Sequence, residues 1–181
     1  MTGILQDKLY IEQLNEAISL SEKTEIGKYA PFFSLPNIKG EKITRSSEDF
    51  KKKNLLINFW ASWGDSISNH QSNTELKEIY QKYKKNKHIA MLGISLDMDK
   101  QEWQDAIKRD TLNWEQVCDF GGLNSEVAKQ YAIKQVPSNI LLLADGKILA
   151  KNLKGEQLKK KIEEVVTAAE EKEKQDNKKK K

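Results

Sequence analysis

The sequence predicts an α/β domain, a mixed central sheet covered by helices on both faces. Three observations predict it. Segments of strand and helix character alternate along the chain, in the order β-β-α-β-α-β-α-β-β-α, the mark of a sheet with helices packed against it. The run Leu55-Leu56-Ile57-Asn58-Phe59-Trp60 is almost continuously apolar, as a strand buried on both faces must be. Near the C-terminus, Ala144-Asp145-Gly146 lies between two apolar stretches, a glycine-bearing turn that joins antiparallel strands and makes the sheet mixed.

The elements follow in order. Residues 4–22 read as a helix, because Leu5, Leu9, Ile11, Leu14, Ile18 and Leu20 fall mainly at three- and four-residue steps. This segment is open between a lead-in arm, a partner-binding helix and a helix packed on its own domain. Pro31 and Pro36 bracket an extended piece, Phe32–Leu35; Asn37–Gly40 is a turn, and Glu41–Thr44 returns as a second strand. Ser46-Ser47-Glu48-Asp49 has the composition of a helix start. After the buried strand, Ala61–Asp65 is a loop, and residues 66–87 turn helical with Leu76, Ile79, Tyr80 and Tyr83 on one stripe. A strand over 89–96 ends at Asp97. A helix over 100–109 turns Trp103, Ala106 and Ile107 inward, and a short strand covers 114–120. Asn124 or Ser125 caps a helix that runs to Tyr131. The hairpin strands, 140–143 and 147–151, lead to a final helix over 155–169, and the charged tail beyond it is expected to fray into solvent.

Composition removes several function classes. The chain has 181 residues, enough for one domain with an appendage. Its single cysteine excludes an internal disulfide and a cysteine-rich zinc site, and with only His70 and His88 a histidine-based metal site is not expected. The net charge is +4, but all of the 31 basic residues except Arg45 and Arg109 are lysine. A surface so short of the planar guanidinium forks that read base edges argues against a nucleic-acid partner. No run approaches the ~18 apolar residues of a membrane span. The N-terminal residues lack a basic stretch followed by a continuous apolar one, so no export signal is read in them.

The segment F-W-A-S-W-G-D-S-I, a strand, a loop and a helix start, resembles the active-site segment of thioredoxin-fold proteins, where a strand runs into W-C-x-x-C and a helix. Its surroundings agree. G-K-Y-A-P-F-F-S-L-P-N-I-K-G-E-K-I resembles the lead-in hairpin of the TlpA/ResA-like thiol-disulfide oxidoreductases and their AhpC/TSA-related peroxiredoxin cousins. L-G-I-S-L-D-M-D-K-Q-E-W resembles their next strand and helix, and Y-A-I-K-Q-V-P-S-N-I-L-L-L-A-D-G-K-I-L-A their V-P strand and D-G-K-I hairpin. The match runs over about residues 27–168, in the family's order and spacing. It implies a thioredoxin-like three-layer sandwich with an N-terminal β-hairpin, here preceded by an extra helix. It also implies a place in the periplasm or cell envelope, and a domain at 27–168 between a helical arm at 1–26 and a charged tail at 169–181.

The chemistry departs from the family. There, two cysteines flank the helix start: the first is a low-pKa thiolate and the second resolves the mixed disulfide. By the resemblance these positions fall at Gly64 and Ile67, with Asp65 and Ser66 between them. Neither Gly nor Ile can act as nucleophile, ligand or acid, so dithiol exchange at this site is excluded. Peroxidase chemistry fails too, for want of a P-x-x-x-T-x-x-C segment. Two other groups remain. Cys118 is the lone thiol, open between a small core hydrophobe and a reactive group, with Asp119 beside it arguing against a low pKa. Ser66 and His70 stand four apart on a helix, but without a third member or an oxyanion hole; helix capping is the plainer role for Asp65 or Ser66.

Pro137 follows Val136 as the family's cis proline does, and the family uses the backbone beside it to bind extended peptide. The resemblance therefore implies a peptide groove outlined by Trp63, Gly64, Asp65, Ser66, Val136 and Pro137, with Trp63 the exposed contact and Trp60 in the core. The expected function is a redox-inactive thioredoxin-fold module that binds a protein or peptide, without cofactor or metal. The alternatives are an oxidoreductase working through Cys118, and an assembly module using the 4–22 helix and the lysine-rich C-terminal helix.

Overall fold

The computed structural model describes residues 2–64 and 66–179, with the backbone alone for 2–7, 9, 17 and 66–71. A helix α1 (Thr2–Lys23) precedes a two-stranded hairpin of β1 (Ser34–Pro36) and β2 (Lys42–Thr44). Then come β3 (Asn54–Trp60), α2 (Ser66–Tyr83), β4 (Ile89–Ser95), α3 (Lys100–Arg109) and β5 (Glu115–Cys118). A 3₁₀ turn at Gly122–Asn124, α4 (Glu126–Gln130), β6 (Ser138–Leu142), β7 (Ile148–Lys151) and α5 (Gly155–Lys179) complete the chain. The last five strands form one sheet in the order β5-β4-β3-β6-β7. β3, β4 and β5 run parallel, and β6 and β7 antiparallel. This is the mixed, helix-covered sheet that the sequence predicts.

β3 sits in the middle, paired on both sides, and every one of its residues is buried. Its alternation divides the core. Leu55, Ile57 and Phe59 face a cluster with Val127, Ala128 and Tyr131 from the α4 region and Phe33 and Leu35 from the lead-in. Leu56 and Trp60 face a second cluster with Leu76 and Ile79 of α2, Trp103 and Ala106 of α3, and Leu158 and Ile162 of α5. Three helices thus cover one face; α4 and the hairpin segment cover the other. Gly93 leaves room for the Gln116 side chain in this packing. A β-carbon there would stand 1.9 Å from Oε1 of Gln116, the atom that accepts the indole N–H of Trp60 at 3.0 Å.

The lead-in does more than form a hairpin. Gly27 N–H donates to Ile148 O, Ile148 N–H to Lys28 O, and Ala30 N–H to Gly146 O, at 2.8–2.9 Å, so residues 27–30 lie along the outer edge of β7. Asn37 bridges to Val117 on β5, at the opposite edge. The segment crosses the sheet and partly covers both of its exposed edges. The Tyr131 hydroxyl pins it in passing, donating to Pro31 O at 2.7 Å.

Two expectations are corrected. Ser46–Asp49 starts no helix: the Ser47 hydroxyl accepts from Thr44 N–H at 2.9 Å, and the chain makes turns that end at Lys52, whose φ of 60° no helix tolerates. The tail beyond 169 does not fray there, because α5 continues to Lys179. Its first turn beyond 169 makes contacts distant in sequence: Asn86 donates to Glu170 at 3.2 Å, and Lys87 and His88 meet Glu173 at 2.6 and 3.2 Å. Two boundaries also tighten, since α2 ends at Tyr83 rather than 87 and β5 covers only 115–118 of the expected 114–120. α1 forms as a helix, and Ile11, Leu14 and Ile18 lie exposed on it; the side chains of Leu5 and Leu9 are outside the described residues.

Candidate functional site

The parallel strands β3, β4 and β5 all end at one edge of the sheet, the edge at which β6 begins. In open α/β sheets this carboxyl edge is where ligands bind. The register fixes what meets there. Phe59 pairs with Ser138, so Pro137 extends β6 to the level of Trp60 and lies beside the loop that leaves β3. The Val136–Pro137 bond is cis, as the resemblance implies. Trp63 is 51 % exposed, while Trp60, three residues earlier, is buried. Gly64 N–H returns to Ala61 O at 3.2 Å and closes the turn that presents Trp63. Trp63, Gly64, Val136 and Pro137 therefore stand on one edge. Asp65 lies outside the described residues, as do the side chains of Ser66, Ile67 and His70, whose backbone forms the first turns of α2.

A carboxylate that the sequence marks only as a strand end holds this loop. Asp97 is wholly buried. Its two oxygens accept from Ser62 N–H at 2.9 and 3.2 Å, from the Ser62 hydroxyl at 2.6 Å and from the Ser95 hydroxyl at 2.6 Å. Ser95 closes the ring by accepting Asp97 N–H at 3.0 Å, and Leu96 N–H reaches Trp60 O at 2.8 Å. Charge-assisted bonds of this kind are the strong ones. They lash the β3–α2 loop to the end of β4 one residue before Trp63. The signal available in sequence was an acidic residue directly after an apolar strand; its partner Ser62 is 35 positions away.

Cys118 lies at the end of β5, behind this edge. It is fully buried; its thiol donates to Asp97 O at 3.6 Å, and its sulfur accepts Phe120 N–H at 3.3 Å. Burial, with Asp97 and Asp119 adding negative charge nearby, pushes the thiol up to about 11. At pH 7 burial therefore keeps the sulfur as the thiol rather than the thiolate that attacks disulfides. Among the described residues no group of His, Cys, Asp and Glu side chains is arranged to hold a metal ion, and no helix is long and apolar enough to cross a membrane.

A second feature adjoins the edge. A cavity of about 490 Å³ opens between α2, the Pro137 turn and the start of α5, lined among others by Ser72, Glu75, Pro137, Asn139, Lys154 and Gly155. Glu75 was not singled out by sequence, where it reads as one more charge on an amphipathic helix.

Comparison with known proteins places this geometry. The thioredoxin-like family pattern matches residues 52–148. ResA, a thiol-disulfide oxidoreductase of Bacillus cereus, is 33 % identical over 146 residues, which cover 81 % of this chain and 79 % of that protein. Among solved structures, a C-terminal domain assigned to a thiol-disulfide oxidoreductase of Bacteroides thetaiotaomicron superposes with a TM-score of 0.79 at 79 % identity, covering 81 % of this chain and 99 % of that one. A thiol-disulfide oxidoreductase of Bacteroides fragilis superposes with a TM-score of 0.74 at 59 % identity, covering 76 % and 99 %.

Proposed function

Starting from the chain's membership of the thioredoxin-like thiol-disulfide oxidoreductase family, we propose that it has kept the scaffold and lost the dithiol, and serves as a redox-inactive module that binds an extended peptide or protein segment in the cell envelope. One observation carries the reading: Gly64 and Ile67 stand where the family resemblance puts the two cysteines, while Trp63 remains exposed beside cis Pro137. The loop is costly to keep if nothing uses it, since Asp97 spends a buried charge on holding it. Trp63 then supplies a rigid aromatic contact, and the backbone of Val136 the hydrogen bonds to an extended segment. The other route, redox work through Cys118, draws no support from a thiol that is buried and held protonated. The membership argues for the envelope and for a polypeptide partner. The domain limits, 27–168 between an arm and a tail, belong to the same reading.

The test is insulin reduction by dithiothreitol, run on the native chain and on Gly64→Cys/Ile67→Cys. The native chain is expected to match the dithiothreitol background and the double variant to exceed it at least tenfold. Native activity above background that Cys118→Ser abolishes would overturn the reading. A parallel peptide-array measurement is expected to show binding that Trp63→Ala removes.

A further inference from the structure

The cavity beside Pro137 contains a carboxylate that the fold satisfies only in part. Glu75 lines it from α2, and its Oε1 is buried without a hydrogen-bond partner. Burial raises the carboxyl above the usual range, only partly offset by the Gly155 N–H and the Lys159 ammonium, while Glu156 and Glu78 raise it further. Lys159 gives little relief, because it is already shared between Glu78 at 2.8 Å and Glu156 at 3.5 Å. Among the described residues no cation forms an ion pair with Glu75. The other polar groups of the lining are largely committed: Asn139 donates to Leu153 O at 2.8 Å and accepts Leu153 N–H at 3.2 Å. Lys154, on the rim, is exposed.

A buried acceptor without a partner costs free energy, and native proteins keep few of them. A cavity of about 490 Å³ is of ligand size. Cis Pro137 forms part of its wall, so a segment laid along that proline passes its mouth.

We propose that this cavity is a specificity pocket for a cationic side chain, lysine or arginine, carried by the bound segment, with Glu75 as the counter-charge at its wall. The inference rests on the binding reading for the polypeptide that presents the side chain, while the pocket's own chemistry is tested without it. A cation is favoured over an anion because the uncommitted group inside is a carboxylate. Lys154 at the rim then acts as a selectivity brake, repelling an incoming ammonium that Glu75 does not claim.

The test is amide NMR on the full chain, titrated at constant ionic strength. The probes are Nα-acetyl-lysine-N-methylamide, sodium acetate, and blocked Ala-Ala-Lys-Ala-Ala beside its norleucine analogue. The lysine probe is expected to give saturable shifts at Gly155 and Ser72. Glu75→Gln, isosteric and still able to accept Gly155 N–H, is expected to weaken it at least tenfold, and Lys154→Ala to strengthen it several-fold. The peptide with lysine is expected to bind at least tenfold more tightly than its norleucine analogue, and only with Trp63 in place. No saturable shift, an unchanged Glu75→Gln, or acetate binding that depends on Lys154 would overturn the pocket. Peptides bound through Trp63 without preference for lysine would overturn it and leave the binding reading standing. Lysine-probe binding that depends on Glu75, with no peptide bound, would uphold the pocket and remove the binding reading.

Discussion

Asp97 and Glu75 are two carboxylates at the same end of the molecule, and they differ in what surrounds them. Asp97 is sealed and saturated: Ser62 and Ser95 supply donors to both oxygens, and nothing is left to offer a ligand. Glu75 is half-buried, with one oxygen unanswered and a cavity alongside. Burial penalises a carboxylate in either place. Where the chain answers it in full, the group belongs to the architecture; where it does not, the missing partner has to come from outside. The saturated carboxylate fixes the loop, and the unsaturated one marks the place for a visitor.

Three substitutions test that contrast in descending order of effect. Asp97→Ala strands the Ser62 N–H and two hydroxyls, and is expected to cost on the order of 3–5 kcal/mol in urea unfolding. A loss below about 1 kcal/mol would show that the network is ornamental. Cys118, which donates to the Asp97 carbonyl, gives a pH signature. Its folded-state pKa of about 11 lies above the unfolded value, so its contribution is complete below about pH 9 and is lost as pH rises towards 11. The native chain should lose on the order of 2 kcal/mol over that window, and somewhat more above it, relative to Cys118→Ala, by unfolding at matched pH values. Parallel pH profiles would break the assignment. The smallest effect has the opposite sign. The raised folded-state pKa of Glu75 means that its ionised form weighs against the fold once pH passes that value, so Glu75→Gln should slightly raise the melting temperature at pH 7. A clear drop would mean that the carboxylate is a structural member after all, as Asp97 is.

Much of the scaffold was legible in the sequence because local signals carried it. Leu55–Trp60 announced a strand covered on both faces, and the turn around Gly146 announced the hairpin. What was not legible depends on residues distant in the chain. Ser62 and Asp97 form one unit across 35 positions. Beyond residue 169, α5 meets Asn86, Lys87 and His88 through Glu170 and Glu173. The false helix start at Ser46–Asp49 is the converse case, a local signal overruled when Ser47 bonds back to Thr44 instead of capping forward. In the candidate site, the family pattern pointed to Trp63 and Pro137. Glu75 stayed invisible because its meaning comes from α5 and the Pro137 turn closing around it.

The lead-in segment sets a timetable. Residues 27–30 take their hydrogen bonds from residues 146–148, near the other end of the domain. On a ribosome the early segment waits, its bonding groups open to solvent, until almost the whole domain has been made. Contacts of such sequence separation form late and slow the folding of the unit they close. The last stitch of the domain is thus sewn with its first thread.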